Sequence, residues 1–237
     1  MIEHFIEYEH DGTVLEAYLV LDGGSSRPRP AVMVAHTWEG RGEFVCDKAR
    51  ILAGQGYAGF AIDLYGKGVV GSGPEENAQL MQPFLDDREY LQARLLAAFQ
   101  ALGTIEAVDH TKIAAIGYCF GGLCVLDMAR LGLSVQGVVS LHGLLGAPGN
   151  TDGNPIKSKV LILHGNDDPM APVDDVIAVE RELSGAGADW QLHAYGNTMH
   201  SFTNPNANNP DLGTVYNECA DRRSWASMMN FLGEVLK

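Results

Sequence analysis

The sequence predicts an α/β fold in which helices cover both faces of a mainly parallel sheet. Apolar runs of strand length alternate along the chain with segments of helical periodicity, which is the pattern that parallel strands and their connecting helices produce. Hydrophobic residues make up 46% and charged residues 19% of the 237 residues, so the chain can bury a large core. Neither a linker nor an internal repeat divides it, and we therefore expect one domain over residues 1–237.

The first half of the chain predicts three strands and two helices. Apolar runs of strand length occupy residues 14–21, 31–35 and 57–64. The periodicity of residues 44–52 predicts a helix that the glycines at 54 and 56 end. A second helix carries an apolar stripe formed by Leu91, Leu95, Leu96, Phe99 and Leu102. Between the third strand and this helix, the glycine-rich residues 66–74 predict a loop.

The second half continues the same alternation. The predicted strands are residues 113–116, 135–141, 160–163 and 190–195. The predicted helices are a segment that ends at Arg130, residues 173–183, and a closing segment marked by Trp225, Met228, Met229 and Leu232. This order completes the pattern on which the predicted fold rests.

Charge and cysteine content exclude several classes of partner. The formal net charge of −14 repels both a polyphosphate backbone and an anionic lipid surface, so we expect no nucleic-acid and no membrane partner. The chain shows neither a basic segment followed by an apolar run at its start nor a run of 18 apolar residues, and this favours a cytoplasmic location. The four cysteines are irregularly spaced, which predicts free thiols. Neither a C-x-x-C pair nor an H-E-x-x-H motif is present, so no metal site is expected.

The segment that carries chemistry is residues 112–130, KIAAIGYCFGGLCVLDMAR. It begins as a strand, ends with helical spacing, and places Cys119 at the centre of a G-x-C-x-G-G turn, which is the nucleophile-elbow pattern in its strand–turn–helix context. Such a turn strains the backbone of the central residue, and side chains at the flanking glycine positions would collide with the neighbouring strand and helix. The alternative is that Cys119 is only a small buried residue at a tight turn. Cys124, inside the helix, is predicted to be core.

The elbow predicts a nucleophile and the groups that assist it. A helix N-terminus favours thiolate over thiol, which suits a reactive Cys119. Acyl transfer also needs donors for the oxyanion. We expect the first to be the backbone N–H of Phe120, and the second to be the backbone N–H of Trp38 in the loop after residues 31–35. Alternatively, the Trp38 ring covers the pocket, and both roles are compatible.

An orienting acid and then a histidine must follow the nucleophile, each after a later strand. The acid is predicted to be Asp168, because the H-G-x-x-D spacing common in α/β-hydrolases ends there, whereas Asp167 suits a helix or turn cap. The histidine is predicted to be His200, since it is the only histidine after His193, which lies inside the last strand. His36, His142 and His164 fall at strand ends and are predicted to have structural hydrogen-bonding roles, with His36 closest to the pocket.

Three motifs together, GYCFGG, HGNDDP and MHSF, resemble the dienelactone hydrolase family, also called carboxymethylenebutenolidases. The resemblance implies a single-domain α/β-hydrolase fold of about eight strands and no cofactor. It also implies hydrolysis of a small-molecule ester or enol-lactone through a thioester on Cys119, with His200 and Asp168. Two features differ from the family prototype. Thr37 stands where the prototype has a glutamate, and Glu39 is a candidate to replace it. Residues 201–205 lack the arginine that the prototype has shortly after its histidine. A substrate other than dienelactone is therefore expected.

The sequence leaves several alternatives open. Acyl transfer to another acceptor or thioester hydrolysis would use the same three side chains. A different class of function is a redox-sensing thiol at Cys119, or a non-catalytic binding protein on a hydrolase fold. The oligomeric state, monomer or homodimer, is also undecided.

Overall fold

The computed structural model describes residues 1–24 and 27–237. It contains two units, Met1–Ala115 and Ile116–Lys237. The prediction of one domain over residues 1–237 stays a prediction.

The first unit contains a strand pair, two further strands and three helices. Its elements are β1 (Ile2–His10), β2 (Thr13–Leu21), β3 (Arg29–Ala35), α1 (Glu43–Gly54), β4 (Ala58–Ala61), α2 (Pro74–Asp86) and α3 (Arg88–Leu102). The next strand, β5 (Val108–Tyr118), begins in the first unit and ends in the second.

The second unit contains three helices, three complete strands of the main sheet and, before the last helix, two short strands. Its elements are α4 (Phe120–Arg130), β6 (Gly137–Leu141), β7 (Lys159–Gly165), α5 (Val173–Gly185), β8 (Trp190–Tyr195), β9 (Asn208–Asn209), a 3₁₀ turn (Pro210–Leu212), β10 (Thr214–Val215) and α6 (Glu218–Val235). The short strands β9 and β10 form a separate antiparallel ribbon.

The main sheet has eight strands in the order β1-β2-β4-β3-β5-β6-β7-β8. Strand β2 is antiparallel to both β1 and β4, whereas β3–β4, β6–β7 and β7–β8 are parallel pairs. The predicted α/β class with a mainly parallel sheet is therefore confirmed. Central strands such as β6 are buried along their whole length, as expected for strands covered on both faces.

Several predicted boundaries shift. Strand β4 is shorter than residues 57–64, and β5 is longer than residues 113–116. Helix α3 buries Leu91, Leu95 and Leu102 as predicted, but Leu96 is 39% exposed and Ala98 is buried instead. Strand β1 and helix α2 were not predicted. Within the described residues, no helix combines the length and apolarity needed to span a bilayer.

Candidate active site

A single residue, Cys119, separates strand β5 from helix α4. Its backbone has φ 56° and ψ −118°, a strained conformation for a non-glycine residue, as the elbow pattern predicts. The Cys119 N–H donates to the Leu141 carbonyl at 3.1 Å, and the Cys119 carbonyl accepts from the Gly122 N–H at 2.9 Å. Two hydrogen bonds therefore hold the strained turn, and the Cys119 side chain stays partly exposed.

The elbow glycines are required by close backbone contacts. A Cβ atom on Gly117 would lie 1.9 Å from the Gly121 carbonyl oxygen, and one on Gly122 would lie 2.5 Å from the Gly143 Cα atom. Both distances are far below van der Waals contact, and the nearest atoms are backbone that cannot rotate away. The predicted steric reason for the glycines is thus confirmed at these two positions.

Asp168 and His200 meet in the second unit. Asp168 follows β7, is 3% exposed, and its Oδ2 lies 2.7 Å from His200 Nδ1. Its other oxygen accepts from the Met170 N–H at 2.8 Å. The neighbouring Asp167 is exposed and does not cap α5, whose N-cap is Pro172, so the predicted capping role of Asp167 is wrong for that helix. A carboxylate at Nδ1 leaves Nε2 as the ring nitrogen that can exchange a proton.

Backbone pairing fixes the position of His200. Its N–H donates to the Gly213 carbonyl at 2.9 Å, and its carbonyl accepts from the Val215 N–H at 3.0 Å. The β9–β10 ribbon thereby holds the loop that carries the histidine, while the next residue, Ser201, has a positive φ of 58°. The ring itself is buried, with only 1% of the residue exposed.

The Cys119 side chain interacts with the His200 ring. Nε2 of His200 makes no hydrogen bond of ordinary geometry within the described part of the chain, but the Cys119 charge attracts the protonated ring. Burial alone would lower the pKa of His200. The Cys119 charge and the hydrogen bond to Asp168 outweigh burial and raise the pKa from 6.5 to about 10. Cys119, His200 and Asp168 therefore form one electrostatically coupled group.

The pKa of His200 is expected to fall toward 6.5 in Cys119→Ala, because the negative sulfur that favours the protonated ring is lost. In the wild type, the raised pKa keeps His200 protonated at neutral pH. Its contribution to folding stability is then complete below pH 6.5 and is lost as the pH rises through about 10. NMR titration of the protein labelled with ¹⁵N-histidine measures the pKa of His200. The His200 signal is assigned by its absence from the spectrum of His200→Gln. Cys124→Ala is the control; equal midpoints in wild type and Cys119→Ala would contradict the coupling.

Sequence reasoning missed the contact that His142 makes. We predicted only a structural hydrogen bond for it, and its Nε2 does lie 2.8 Å from the Thr203 hydroxyl. However, its ring also packs against the His200 ring, with centroids 5.1 Å apart. The signal available was its position directly after the strand that follows the elbow helix. His164, at the end of β7, is also buried. Burial lowers the pKa of its ring, and the charge of Asp168 offsets only part of this shift.

The residues of the loop after β3 belong to the first unit. His36 is fully buried and its Nδ1 donates to the Thr37 carbonyl at 2.6 Å, so its predicted hydrogen-bonding role is confirmed. The Trp38 carbonyl accepts from the Tyr65 hydroxyl at 3.0 Å. Burial raises the pKa of the Glu39 carboxyl. The oxyanion role of the Trp38 N–H, like that of the Phe120 N–H, stays a prediction.

The four cysteines are free thiols, as predicted, and Cys124 is buried. In residues 1–24 and 27–237, no group of three or more histidine, cysteine or acidic side chains could hold a metal ion. The predicted lack of a cofactor stays a prediction.

Comparison with known proteins agrees with the motif resemblance. A putative carboxymethylenebutenolidase of Aquifex aeolicus is 25% identical, with 98% of each chain covered. The carboxymethylenebutenolidase of Pseudomonas putida is 28% identical over 74% of this chain and 75% of its own. The crystal structure of a dienelactone hydrolase-like promiscuous phosphotriesterase from metagenomic libraries is 34% identical, covers 100% of this chain and 99% of its own, and has a TM-score of 0.93. The sequence profile of the dienelactone hydrolase family matches residues 15–236, and this protein therefore belongs to that family.

Proposed function

We propose that this protein hydrolyses ester or lactone bonds through a thioester on Cys119, with His200 as the acid–base group and Asp168 as its orienting carboxylate. Family membership makes it a hydrolase. The observation that carries the proposal is the coupled group itself: a buried imidazole bound through Nδ1 to Asp168, with a strained elbow cysteine that raises the pKa of that imidazole. A cysteine that served only for packing would require neither the strained backbone nor the buried, carboxylate-bound imidazole beside it.

In the acylation step, the Cys119 sulfur attacks the carbonyl carbon and a C–S bond forms. The carbonyl electrons move to oxygen, and the N-terminus of α4, with the Phe120 N–H as predicted donor, stabilises the negative charge. When the tetrahedral intermediate collapses, the C–O bond to the leaving group breaks. His200, which carries a proton at neutral pH, gives it to the leaving oxygen. The products are an alcohol, or the opened end of a lactone, and a thioester.

In the deacylation step, His200 takes the role of base. An acylated sulfur carries no charge, so the largest influence that raises the pKa of His200 disappears, while burial of the ring still lowers it. The ring can then be neutral and accept a proton from water as the oxygen attacks the thioester. The C–S bond breaks, the acid is released, and Cys119 and the protonated His200 are ready for the next cycle. Asp168 holds Nδ1 in both steps, so Nε2 alone exchanges protons.

Small uncharged or singly charged substrates fit this chain best. The two relatives named above are called carboxymethylenebutenolidases, and this name supports an enol-lactone as one substrate class. Residues 201–205, Ser-Phe-Thr-Asn-Pro, contain no cation to bind a substrate carboxylate. The net charge of −14 also disfavours multiply charged anions.

Phosphotriester hydrolysis is a second candidate function. The observation that favours it is the 34% identity, over the whole chain, to the promiscuous phosphotriesterase. An elbow nucleophile and oxyanion donors suit attack at phosphorus as well as at carbon.

A substrate panel tests the proposed function. We expect the purified protein to hydrolyse p-nitrophenyl acetate and a five-membered enol-lactone, and a dialkyl aryl phosphate tests the second candidate. Adding alcohols or thiols shows whether water is the preferred acceptor or whether the protein is an acyltransferase. Absence of turnover across the panel, together with sulfenic acid at Cys119 after mild peroxide treatment, would contradict hydrolysis and support the redox alternative.

A further inference from the structure

His142 has a backbone conformation that costs energy. It follows β6 directly and has φ 38°, in the left-handed region that non-glycine residues seldom occupy. Its N–H donates to the Leu163 carbonyl of β7 at 2.8 Å, which holds it beside the end of that strand. Strain of this kind persists only where surrounding structure imposes it, and it concentrates at functional sites.

The His142 ring is buried and held at several points. Only 2% of the residue is exposed, and Nε2 lies at hydrogen-bond distance, 2.8 Å, from the Thr203 hydroxyl. The ring packs edge-on against the His200 ring, with centroids 5.1 Å apart and an interplanar angle of 66°. It makes a second T-shaped contact with Phe202, also at 5.1 Å. The Thr203 anchor therefore fixes a ring that in turn touches the proposed acid–base group.

Asp168 alone does not determine the orientation of the His200 ring. It contacts one ring atom, Nδ1, at 2.7 Å. A hydrogen bond at one atom fixes the tautomer, but it allows the ring to tilt and move Nε2 away from Cys119. Nε2 itself makes no hydrogen bond of ordinary geometry within the described residues. A ring packed against His200 restricts this tilt.

We propose that His142, anchored by Thr203, is a positioning residue that holds the His200 ring so that Nε2 faces the Cys119 sulfur. This inference rests on the proposed function of Cys119 and His200. His142 touches neither substrate nor sulfur in this account, and it acts only through His200.

Two variants test the proposal without disturbing the strained backbone. Thr203→Val removes the anchoring hydroxyl and keeps the side-chain shape. His142→Asn removes the ring, and asparagine tolerates the left-handed region. Because small errors in placement of a catalytic group are costly, we expect each to lower kcat for p-nitrophenyl acetate by about tenfold or more, with KM changed less than about twofold. The double variant should lose no more than His142→Asn alone, since Thr203 acts through His142.

Ser224→Ala is the matched control for loss of a buried hydroxyl. Ser224 is fully buried, and its hydroxyl donates to the Asp221 carbonyl at 2.8 Å within α6. We expect its kcat to match the wild type. An equal fall of kcat in Ser224→Ala would show that general loosening of the fold is the cause, and it would overturn the proposal.

Alkylation of Cys119 by iodoacetamide at pH 7 gives a readout that needs no ester substrate. We expect slower alkylation in Thr203→Val and His142→Asn, because the protonated ring no longer faces the sulfur. If the wild type turned over no ester, the proposed function would fail, and the alkylation rates would still decide the role of His142. Wild-type rates of both turnover and alkylation in the two variants would overturn the proposal.

Discussion

Replacing Cys119 by alanine is expected to lower kcat/KM for p-nitrophenyl acetate by about 10⁴-fold or more, since removal of a nucleophile from a coupled catalytic group abolishes nearly all of its effect. Alanine leaves the elbow intact, because the hydrogen bonds that hold the turn use the backbone of residue 119. Residual catalysis would come from the oxyanion donors alone. Steady-state kinetics, with unfolding curves to show that the fold is retained, measure the effect.

Cys124→Ala is the matched control for this variant. Cys124 lies in the same helix and is fully buried, as predicted for a core residue. Its kcat/KM should stay within about twofold of the wild type, even if stability falls through the small cavity. Unchanged turnover in Cys119→Ala would reject the assignment of the nucleophile.

The Gly117→Ala substitution is expected to lower the free energy of unfolding by about 3 kcal/mol or more, at the upper end of overpacking effects. The added Cβ would lie 1.9 Å from the Gly121 carbonyl oxygen and 2.2 Å from its carbon, both backbone atoms of the elbow. Relief of this overlap requires β5 and the start of α4 to move apart, and that movement displaces Cys119. Urea unfolding measures the stability loss, and turnover per folded molecule should fall as well.

Gly146→Ala is the control for the glycine substitution. A Cβ atom at Gly146 would meet no heavy atom within 4 Å, and this residue has no positive φ. Its free energy of unfolding should lie within about 0.5 kcal/mol of the wild type. Equal stability of Gly117→Ala and Gly146→Ala would contradict the steric account of the elbow.

Local rules predicted the alternation of strands and helices and the meeting of Asp168 with His200. Buried strands such as β7 appear in the sequence as apolar runs, because both faces of the sheet are covered there. The elbow motif sets an order along the chain, and this order pointed to residues 168 and 200 although 32 positions separate them. The strained backbone at Cys119 was predicted because a strand turns at once into a helix there.

Other features depend on contacts that the sequence does not display. Strand β1 is the outermost strand of the sheet and most of its residues are exposed. It therefore lacks the apolar run by which the inner strands were predicted. Helix α2 buries only two residues and contains Pro83, which hid its periodicity. The packing of His142 on His200 arises from side chains 58 positions apart, and no local pattern encodes it. Leu96 was misplaced because the buried face of α3 also includes the polar residues Gln92 and Arg94, so the apolar residues alone did not mark its centre.

The central claim is that the Cys119 sulfur itself carries the acyl group during turnover. The most direct measurement is rapid acid quenching of the reaction with p-nitrophenyl acetate, followed by proteolysis and mass spectrometry of the peptides. The account predicts an acetyl group on the peptide that contains Cys119, absent from the Cys119→Ala protein. Turnover with no acyl group on Cys119, or with the acyl group on another residue, would contradict it.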